Sequence, residues 1–222
     1  MIQPIRDQTS TPSKRIILVD DHAVVRAGLI EIFQRRPGFT VVGEAANASE
    51  AMRLVSQLSP DLVVVDVSLE VGMNGIELLK HLRTQHASLP ILVLSMHEED
   101  IYAERALNAG ASGYLVKRAP IEQYYEAIDK VLGGRVYASA AVMEGMLGRG
   151  NSKAAGELGT LSDRELEVLE LIGRGLGTRE IATNLHLSVK TIETYRANLK
   201  SKLSLDSAPQ LVRFAVQWVE TR

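Results

Sequence analysis

The sequence predicts an α/β fold, a five-stranded, parallel, doubly wound sheet, followed by a second, small all-α domain. Up to residue 133, short apolar runs rich in β-branched residues alternate with amphipathic stretches, which is typical of repeated βαβ units. After residue 160 only helical periodicity remains. The predicted strands are 15–20, 40–45, 61–67, 91–96 and 113–117, and the helices between and after them are 23–35, 49–58, 74–85, 99–109 and 120–132.

The composition is that of a soluble protein without disulfides or membrane spans. Of the 222 residues, 45% are hydrophobic and 23% are charged, which is ordinary for a soluble chain with a packed core. The absence of cysteine excludes disulfides, thiolate catalysis and cysteine-ligated metals. No apolar run approaches the roughly 18–20 residues that span a bilayer. We therefore expect a cytoplasmic protein that makes no membrane contact.

The chain divides into four predicted segments. Residues 1–13 are polar, contain two prolines and are expected to form a flexible tail. Residues 14–134 form the α/β domain, and residues 160–222 form the all-α domain. Residues 135–159 are the expected linker, because small and polar residues dominate its second half. A short helix is possible within 136–147.

Polar residues stand where the predicted strands end. They are Asp20 and Asp21 after the first strand, Asp66 after the third, Ser95 after the fourth and Lys117 after the fifth. Because parallel strands end at one edge of a sheet, these side chains can converge. Clustered carboxylates suit Mg²⁺, and a carboxylate can itself accept a phosphoryl group whose oxygens the hydroxyl and the ammonium would contact. One aspartate at a strand end is more often a turn or cap residue, but the joint pattern predicts a phosphoacceptor site.

The all-α domain has the layout of a helix-turn-helix. We expect helices at 162–174, 178–185, 188–203 and 208–219, with Ser162, Thr178 and Ser188 as N-caps. On a helical wheel the third helix places Ile192 and Leu199 on its core side. The opposite stripe is small and polar, which lets a backbone approach the major groove of DNA. The candidate DNA contacts are Thr178, Ser188, Lys190, Thr191, Glu193, Thr194, Ala197, Asn198, Lys200, Ser201 and Lys202.

That stripe alone is equally consistent with a solvated face or with a protein-binding face. In the last helix, Leu211, Phe214 and Trp218 are expected to face the core. Val212, Val216 and Val219 form a second apolar strip, which indicates a surface for a partner. A fully buried terminal helix is the alternative.

Residues 14–134 resemble the receiver domain of response regulators. The resemblance rests on ILVDDHAVVRAGL (17–29), PDLVVVDVSL (60–69), MNGIELLKHLR (73–83), ILVLSMHEED (91–100) and NAGASGYLVKRA (108–119). Residues 161–203 are similar to the LuxR-type helix-turn-helix through LS-x-RE-x-EVL, GLGTREIA and LSVKTIETYRANLKSKL. Together they resemble the NarL/FixJ family of two-component response regulators. The resemblance implies a flavodoxin-like receiver fold.

The family resemblance also implies roles for individual residues. Asp66 would be phosphorylated by a sensor histidine kinase. Mg²⁺ would be bound by the side chains of Asp20, Asp21 and Asp66 and by the backbone carbonyl of Ser68. Ser95 and Lys117 would contact the phosphoryl group, and Tyr114 would be the aromatic switch, although a half-buried strand aromatic is an equally good interpretation. The partners would be the kinase, double-stranded DNA and, in the active state, a second copy of the chain.

Two positions depart from the family pattern. The segment SLEVGMNG (68–75) has Glu70 and Val71 where one proline is usual, which predicts a one-residue insertion beside Asp66. Lys117 is followed by Arg118 rather than by proline. If the family geometry held there, the peptide between these residues would be a non-proline cis bond.

The sequence therefore predicts a DNA-binding transcriptional regulator that is switched by phosphorylation of Asp66. Its only catalysis would be self-phosphotransfer and slow autodephosphorylation, so it is not expected to be an enzyme. The alternatives left open are a regulator that works without phosphorylation, a hydrolase that uses the acidic cluster, and an interaction protein whose last domain binds protein.

Overall fold

The fold contains a parallel α/β domain and a helical domain. The computed structural model describes residues 13–69, 72–96, 100–147 and 158–220. In the first domain the five strands form one parallel sheet in the order β2-β1-β3-β4-β5. The strands are β1 Lys14–Val19, β2 Phe39–Ala45, β3 Leu62–Asp66, β4 Ile91–Ser95 and β5 Gly113–Val116. The helices are α1 Ala23–Gln34, α2 Ala48–Leu58, α3 Gly75–Gln85, α4 Asp100–Asn108 and α5 Ile121–Leu132.

The sheet is buried on both faces, as the near-continuous apolar strands require. Successive residues of β1 alternate between two cores. Ile17 belongs to one hydrophobic cluster, and Ile16 and Leu18 belong to the cluster on the other face. All five residues of β3 are buried, including the terminal Asp66. A charged residue is therefore held at the edge of an apolar layer.

The predicted strands and helices of this domain are confirmed to within about two residues at their ends. Side-chain caps define two of the helix starts. Asn47 accepts a hydrogen bond from the Glu50 N–H at the start of α2, and Asn74 forms a capping box with Glu77 at the start of α3. The short helix predicted within 136–147 forms as α6, Ala140–Leu147.

The helical domain consists of α7 Asp163–Gly173, α8 Thr178–Asn184, α9 Val189–Lys202 and α10 Ala208–Glu220. The N-caps predicted at Ser162 and Ser188 are confirmed, since each accepts a hydrogen bond from the N–H three residues on. The cap predicted at Thr178 is wrong. Gly177 is the N-cap of α8 and its N–H donates to the Glu180 carboxylate, so Thr178 is already helical.

Helix α7 lies at the centre of the helical domain and contacts the other three helices. Its closest neighbour is α10, where a Cβ added at Gly173 would lie 2.4 Å from the backbone oxygen of Ala215. Glycine is required at this crossing because the two backbones nearly touch. None of the helices in the described ranges has both the length and the apolar composition needed to cross a membrane.

Candidate phosphoacceptor site and nucleic-acid interface

Strand register places two of the predicted acidic residues side by side. Val19 pairs with Val65 between the parallel strands β1 and β3. The next residues along each strand are Asp20 and Asp66, so their carboxylates emerge at the same edge of the sheet. Both side chains are almost inaccessible to water, at 2% and 3% exposure.

The neighbouring strands bring the other two groups to the same edge. Ser95 ends β4 and is fully buried, and its carbonyl accepts a hydrogen bond of 2.7 Å from the N–H of Lys117. Tyr114, two residues before the end of β5, is also fully buried. Tyr114 is a strand aromatic, as the alternative interpretation has it, but it is fully buried rather than half-buried. Its role as a switch stays a prediction.

Lys117 forms an ion triad with two of the carboxylates. Its Nζ lies 2.6 Å from Asp20 Oδ2 and 2.8 Å from Asp66 Oδ2. Burial would lower the pKa of Lys117, but the two carboxylates outweigh burial and raise it, so the ammonium stays charged. Burial raises the pKa of Asp66, the charge of Lys117 opposes that rise, and the charge of Asp20 adds to it. One ammonium thus compensates the local negative charge only in part.

The residues at this edge fit a divalent cation. One ligand atom from each of Asp20, Asp21, His22 and Asp66 lies within 4.8 Å of the others. Asp66 Oδ1 is buried and has no hydrogen-bond partner among the described residues. A hard cation coordinated by carboxylates would satisfy this oxygen, and oxygen-rich sets of this kind suit Mg²⁺.

His22 is a member of this cluster that the sequence reasoning did not single out. Its Nδ1 lies 2.7 Å from Asp21 Oδ1, and its backbone N–H donates to Asp20 Oδ1 at 2.9 Å. Burial would lower the pKa of His22, but the contact with Asp21 reverses this and raises it. The only sequence signal was its position directly after Asp21.

The chain turns back tightly after the phosphoacceptor candidate. The N–H of Gly75 donates to the carbonyl of Val67, and a Cβ at Gly75 would lie 1.9 Å from the backbone oxygen of Asp66. Only glycine fits so close to another backbone. The departures Glu70 and Val71 lie outside the described residues.

The expected cis peptide between Lys117 and Arg118 is wrong, because no cis bond occurs in the described ranges, which include both residues. With arginine rather than proline at this position, a trans peptide is favoured by about 3 kcal/mol.

The candidate recognition surface lies on α9. Ile192 and Leu199 are fully buried, whereas Lys190, Thr194 and Ala197 on the opposite side are exposed. The exposed predicted contacts in the helical domain are Ser188, Lys190, Glu193, Thr194, Ala197, Asn198, Ser201 and Lys202, and the half-buried ones are Thr178, Thr191 and Lys200. The stripe thus faces solvent in the part of the chain that the structure describes.

Lys202 is engaged inside the helical domain. Its Nζ lies 2.7 Å from Glu165 and donates to the carbonyl of Thr160 at 3.2 Å. Burial would raise the pKa of Glu165, but hydrogen bonds from Lys202 and from Ser162 hold it below its usual value. Arg179, exposed in the first turn of α8, is a basic residue that the sequence reasoning missed. The sequence signal that could have marked Arg179 as a candidate DNA contact was its positive charge directly after Thr178.

The apolar strip predicted on α10 is partly used within the domain. Val212 is exposed, whereas Val216 and Val219 are half-buried. A Cβ at Gly173 would lie 2.5 Å from Val219 Cγ2, so Val219 packs against α7. Val212 therefore offers the most accessible part of this strip.

A parallel α/β domain with a buried aspartate–lysine pocket at its strand ends, joined to a helix-turn-helix domain, defines a DNA-binding response regulator. The family model described as "Response regulator receiver domain" matches residues 16–129, and the model "Bacterial regulatory proteins, luxR family" matches residues 159–215. The chain belongs to the NarL/FixJ family of response regulators.

Individual relatives support this assignment along nearly the whole chain. The oxygen regulatory protein NreC of Staphylococcus haemolyticus is 34% identical over 210 residues, which cover 91% of this chain and 97% of NreC. The crystal structure of ChrA, the response regulator of a heme-sensing two-component system, matches with a TM-score of 0.52 and 31% sequence identity. The match covers 94% of this chain and 98% of ChrA. A LuxR-family regulator from Aurantimonas sp. is 40% identical, with a TM-score of 0.57, and covers 61% of this chain and 96% of that one.

Proposed function

We propose that this transcription regulator is switched by phosphorylation of Asp66, with a sensor histidine kinase as the phosphoryl donor. The observation that carries the proposal is the environment of the Asp66 carboxylate. One of its oxygens contacts Lys117, and the other is buried without a hydrogen-bond partner among the described residues. A buried carboxylate beside a single ammonium is suited to accept a phosphoryl group together with a bound Mg²⁺ ion, because the ion supplies the positive charge that the site lacks.

The chain's own residues divide the chemistry between them. An oxygen of Asp66 attacks the phosphorus of a phosphohistidine, the P–N bond breaks, and an acyl phosphate forms. Lys117 binds one phosphoryl oxygen, and the Ser95 hydroxyl donates to another. Asp20 and Asp21, with Asp66 and the carbonyl of Ser68, would hold Mg²⁺. When bound, that ion neutralises charge on the transferring group. Self-phosphotransfer and slow hydrolysis are the only reactions we assign.

DNA binding is assigned to α9 in the major groove of a duplex. The exposed small and polar stripe permits a close approach, Lys190 supplies positive charge, and Glu193 can accept a hydrogen bond from a cytosine N4. Two copies paired through α10 would recognise two half-sites about one helical turn apart.

We further infer that phosphorylation controls the pairing of two chains. Two forms of control are possible: the unphosphorylated receiver blocks the recognition helix, or it disfavours dimerisation. Lys190, Thr194 and Ala197 are exposed while the two domains are in contact. This exposure supports the second form, because a receiver that covered α9 would bury its outward stripe.

The test combines phosphorylation with DNA binding. Purified chain is incubated with acetyl phosphate and Mg²⁺, and the acid-labile aspartyl phosphate is measured on a phosphate-affinity gel. We expect one phosphoryl group on the wild type and none on Asp66→Asn. Genomic DNA fragments are then selected at fixed salt with and without beryllofluoride. A wild type that is not phosphorylated, or whose DNA affinity is the same with and without beryllofluoride, would instead support a phosphorylation-independent regulator.

A further inference from the structure

His22 occupies a helix-capping position without capping the helix. It is the N-cap residue of α1, a position where serine, threonine, aspartate or asparagine usually accepts a hydrogen bond from the first turn. The His22 side chain makes no such bond. Its Nδ1 lies instead 2.7 Å from Asp21 Oδ1 and 3.6 Å from Asp20 Oδ1. The imidazole therefore engages the acidic pocket rather than the helix that it begins.

Lys117 contacts only one oxygen of each buried carboxylate. Its Nζ lies next to Asp20 Oδ2 and Asp66 Oδ2. Asp20 Oδ1 is the oxygen close to His22, and it accepts the His22 backbone N–H at 2.9 Å. Asp66 Oδ1 is buried and has no hydrogen-bond partner among the described residues, although the whole side chain is only 3% exposed. The Oδ1 oxygens are therefore the ones left for a second cation.

The separations around His22 fit neighbouring ligands of one octahedral ion. With metal–ligand bonds of about 2.1 Å, neighbouring ligand atoms lie about 3 Å apart and opposite ones about 4.2 Å apart. The two separations of His22 Nδ1, 2.7 and 3.6 Å, bracket the value for neighbours. One ligand atom from each of Asp20, Asp21, His22 and Asp66 lies within 4.8 Å of the others. The His22 side chain is 60% exposed, so the ring has room for the small adjustment that coordination requires.

A nitrogen ligand changes which ion such a pocket prefers. Carboxylate oxygens suit Mg²⁺, whereas imidazole suits iron, nickel and zinc. For one set of nitrogen and oxygen ligands, affinity rises along the first transition row from Mn²⁺ through Fe²⁺ and Co²⁺ to Ni²⁺. Three carboxylates with one imidazole therefore form a mixed set, in which the imidazole adds affinity for transition-metal ions more than for Mg²⁺.

The other role open to His22 is to position Asp21. A hydrogen bond between Nδ1 and Asp21 Oδ1 would hold that carboxylate in place without touching the ion. Such a positioning residue would support every divalent ion to a similar degree. Ion preference and direct observation of a coordinated imidazole therefore distinguish the two roles.

We propose that His22 is a nitrogen ligand of the pocket formed by Asp20, Asp21 and Asp66, so that this pocket binds a divalent ion of the first transition row in preference to Mg²⁺. Mg²⁺ uses the carboxylate oxygens alone, whereas Fe²⁺, Co²⁺, Ni²⁺ or Zn²⁺ also uses the imidazole. The inference deepens the proposed function and rests on it, since it places the ion in the same pocket.

The first measurement compares two ions. Co²⁺ and Mg²⁺ are each titrated into the full chain by calorimetry at one fixed pH. We expect His22→Asn to weaken Co²⁺ binding about tenfold and Mg²⁺ binding by less than about twofold. Asparagine is a favoured N-cap residue, so the variant keeps the start of α1. His81→Asn is the matched control, because it removes an exposed histidine of α3 that is not part of the cluster, and it should bind both ions as the wild type does.

The second measurement observes the ligand directly. Co²⁺ is paramagnetic, so the ring protons of a coordinated histidine are shifted far outside their normal range in proton NMR spectra. We expect these shifted signals in the wild type and in His81→Asn, and their loss in His22→Asn at saturating Co²⁺. Asp66→Asn should weaken the binding of both ions, because it removes a carboxylate that both use.

The outcomes separate the inference from the proposed function. A wild type that binds neither ion contradicts the metal site of the proposed function. A wild type that binds both ions but shows no shifted histidine signal contradicts only the inference, and His22 is then a positioning residue for Asp21. Equal losses of Co²⁺ and Mg²⁺ affinity in His22→Asn, or shifted signals that persist in that variant, also overturn the assignment of His22 as a ligand.

Discussion

Replacing the phosphoacceptor candidate by its amide is expected to stabilise the protein when no metal is bound. The perturbation is Asp66→Asn, which keeps the shape of the side chain and removes one buried negative charge. In the wild type, three carboxylates share this edge of the sheet, and Lys117 contacts two of them. The variant leaves Lys117 paired with Asp20 at 2.6 Å and replaces a charged carboxylate, one oxygen of which is buried without a hydrogen bond, by a neutral amide.

The magnitude follows from the removed charge. Leaving a buried charged group incompletely satisfied costs about 1–3 kcal/mol or more, and the lost attraction to Lys117 offsets part of the gain. We therefore expect the free energy of unfolding to increase by about 1 kcal/mol at neutral pH, which for a chain of this size raises the melting temperature by roughly 2–4 °C.

The pH dependence has a definite sign. Burial raises the pKa of Asp66 above its usual value of 3.8, so folding favours the protonated acid. The contribution of Asp66 to the free energy of unfolding is therefore fully present at a pH below 3.8, where the acid is protonated in both states. It is lost as the pH rises through the higher pKa of the folded state. The advantage of Asp66→Asn should therefore be larger at pH 7.5 than at pH 5. Mg²⁺ should reduce it, because a ligand of the folded state stabilises the wild type.

The assay is urea unfolding followed by circular dichroism in EDTA at both pH values. Asp61→Asn is the matched control at the opposite end of the sheet. The Arg15 N–H donates to Asp61 at 2.8 Å and, with help from Lys14, lowers its pKa. Its stabilising effect is present above the usual pKa, so Asp61→Asn should slightly destabilise the protein at neutral pH. If Asp66→Asn is no more stable than the wild type at pH 7.5 in EDTA, the electrostatic reasoning is refuted.

Four further substitutions test the packing and the DNA interface. Gly75→Ala places a methyl group against the backbone oxygen of the phosphoacceptor and should destabilise the receiver by about 3 kcal/mol in thermal melts. Gly28→Ala in α1 meets no atom within 4 Å and should be neutral or slightly stabilising. Lys190→Ala should weaken duplex binding and reduce the slope of log affinity against log salt by about 1 in fluorescence anisotropy. Lys202→Ala should instead lower the stability of the helical domain, because Glu165 loses its cation, and a normal melting temperature would contradict this.

The acidic pocket was predictable because its geometry depends on a few local rules. A buried parallel strand appears in the sequence as an apolar run, and the polar residue after it marks the strand end. Parallel strands end at a common edge, so Asp20, Asp66 and Lys117 had to converge once the strands were assigned. The cap at Thr178 was predicted wrongly because Gly177 can take the same position while Glu180 satisfies its N–H.

The contacts between the domains were not predictable in the same way. Arg164 and Glu170 occupy ordinary positions of an amphipathic helix, where charged residues usually face water. Their burial depends on how the helical domain packs against α4 and against residues 72–75, and no periodicity in the chain encodes that packing. Lys202 was mispredicted for the same reason. Its position on α9 indicates a DNA contact, but its side chain pairs with Glu165 on α7, and the sequence pattern does not reveal that pairing.

The interface between the two domains combines polar and apolar contacts. Asp163, Arg164 and Glu170 are each about nine-tenths buried and each contacts an oppositely charged side chain. Among these pairs, the one between Asp163 and Arg105 joins the two domains, whereas the other two lie along α7. Removing such a pair from water costs nearly as much as its attraction returns. An apolar interface of equal area would be held more firmly by the hydrophobic effect. Inverting a docked population from 99:1 to 1:99 requires about 5.5 kcal/mol of differential binding. Any ligand that released the helical domain from the receiver would have to supply a difference of that size.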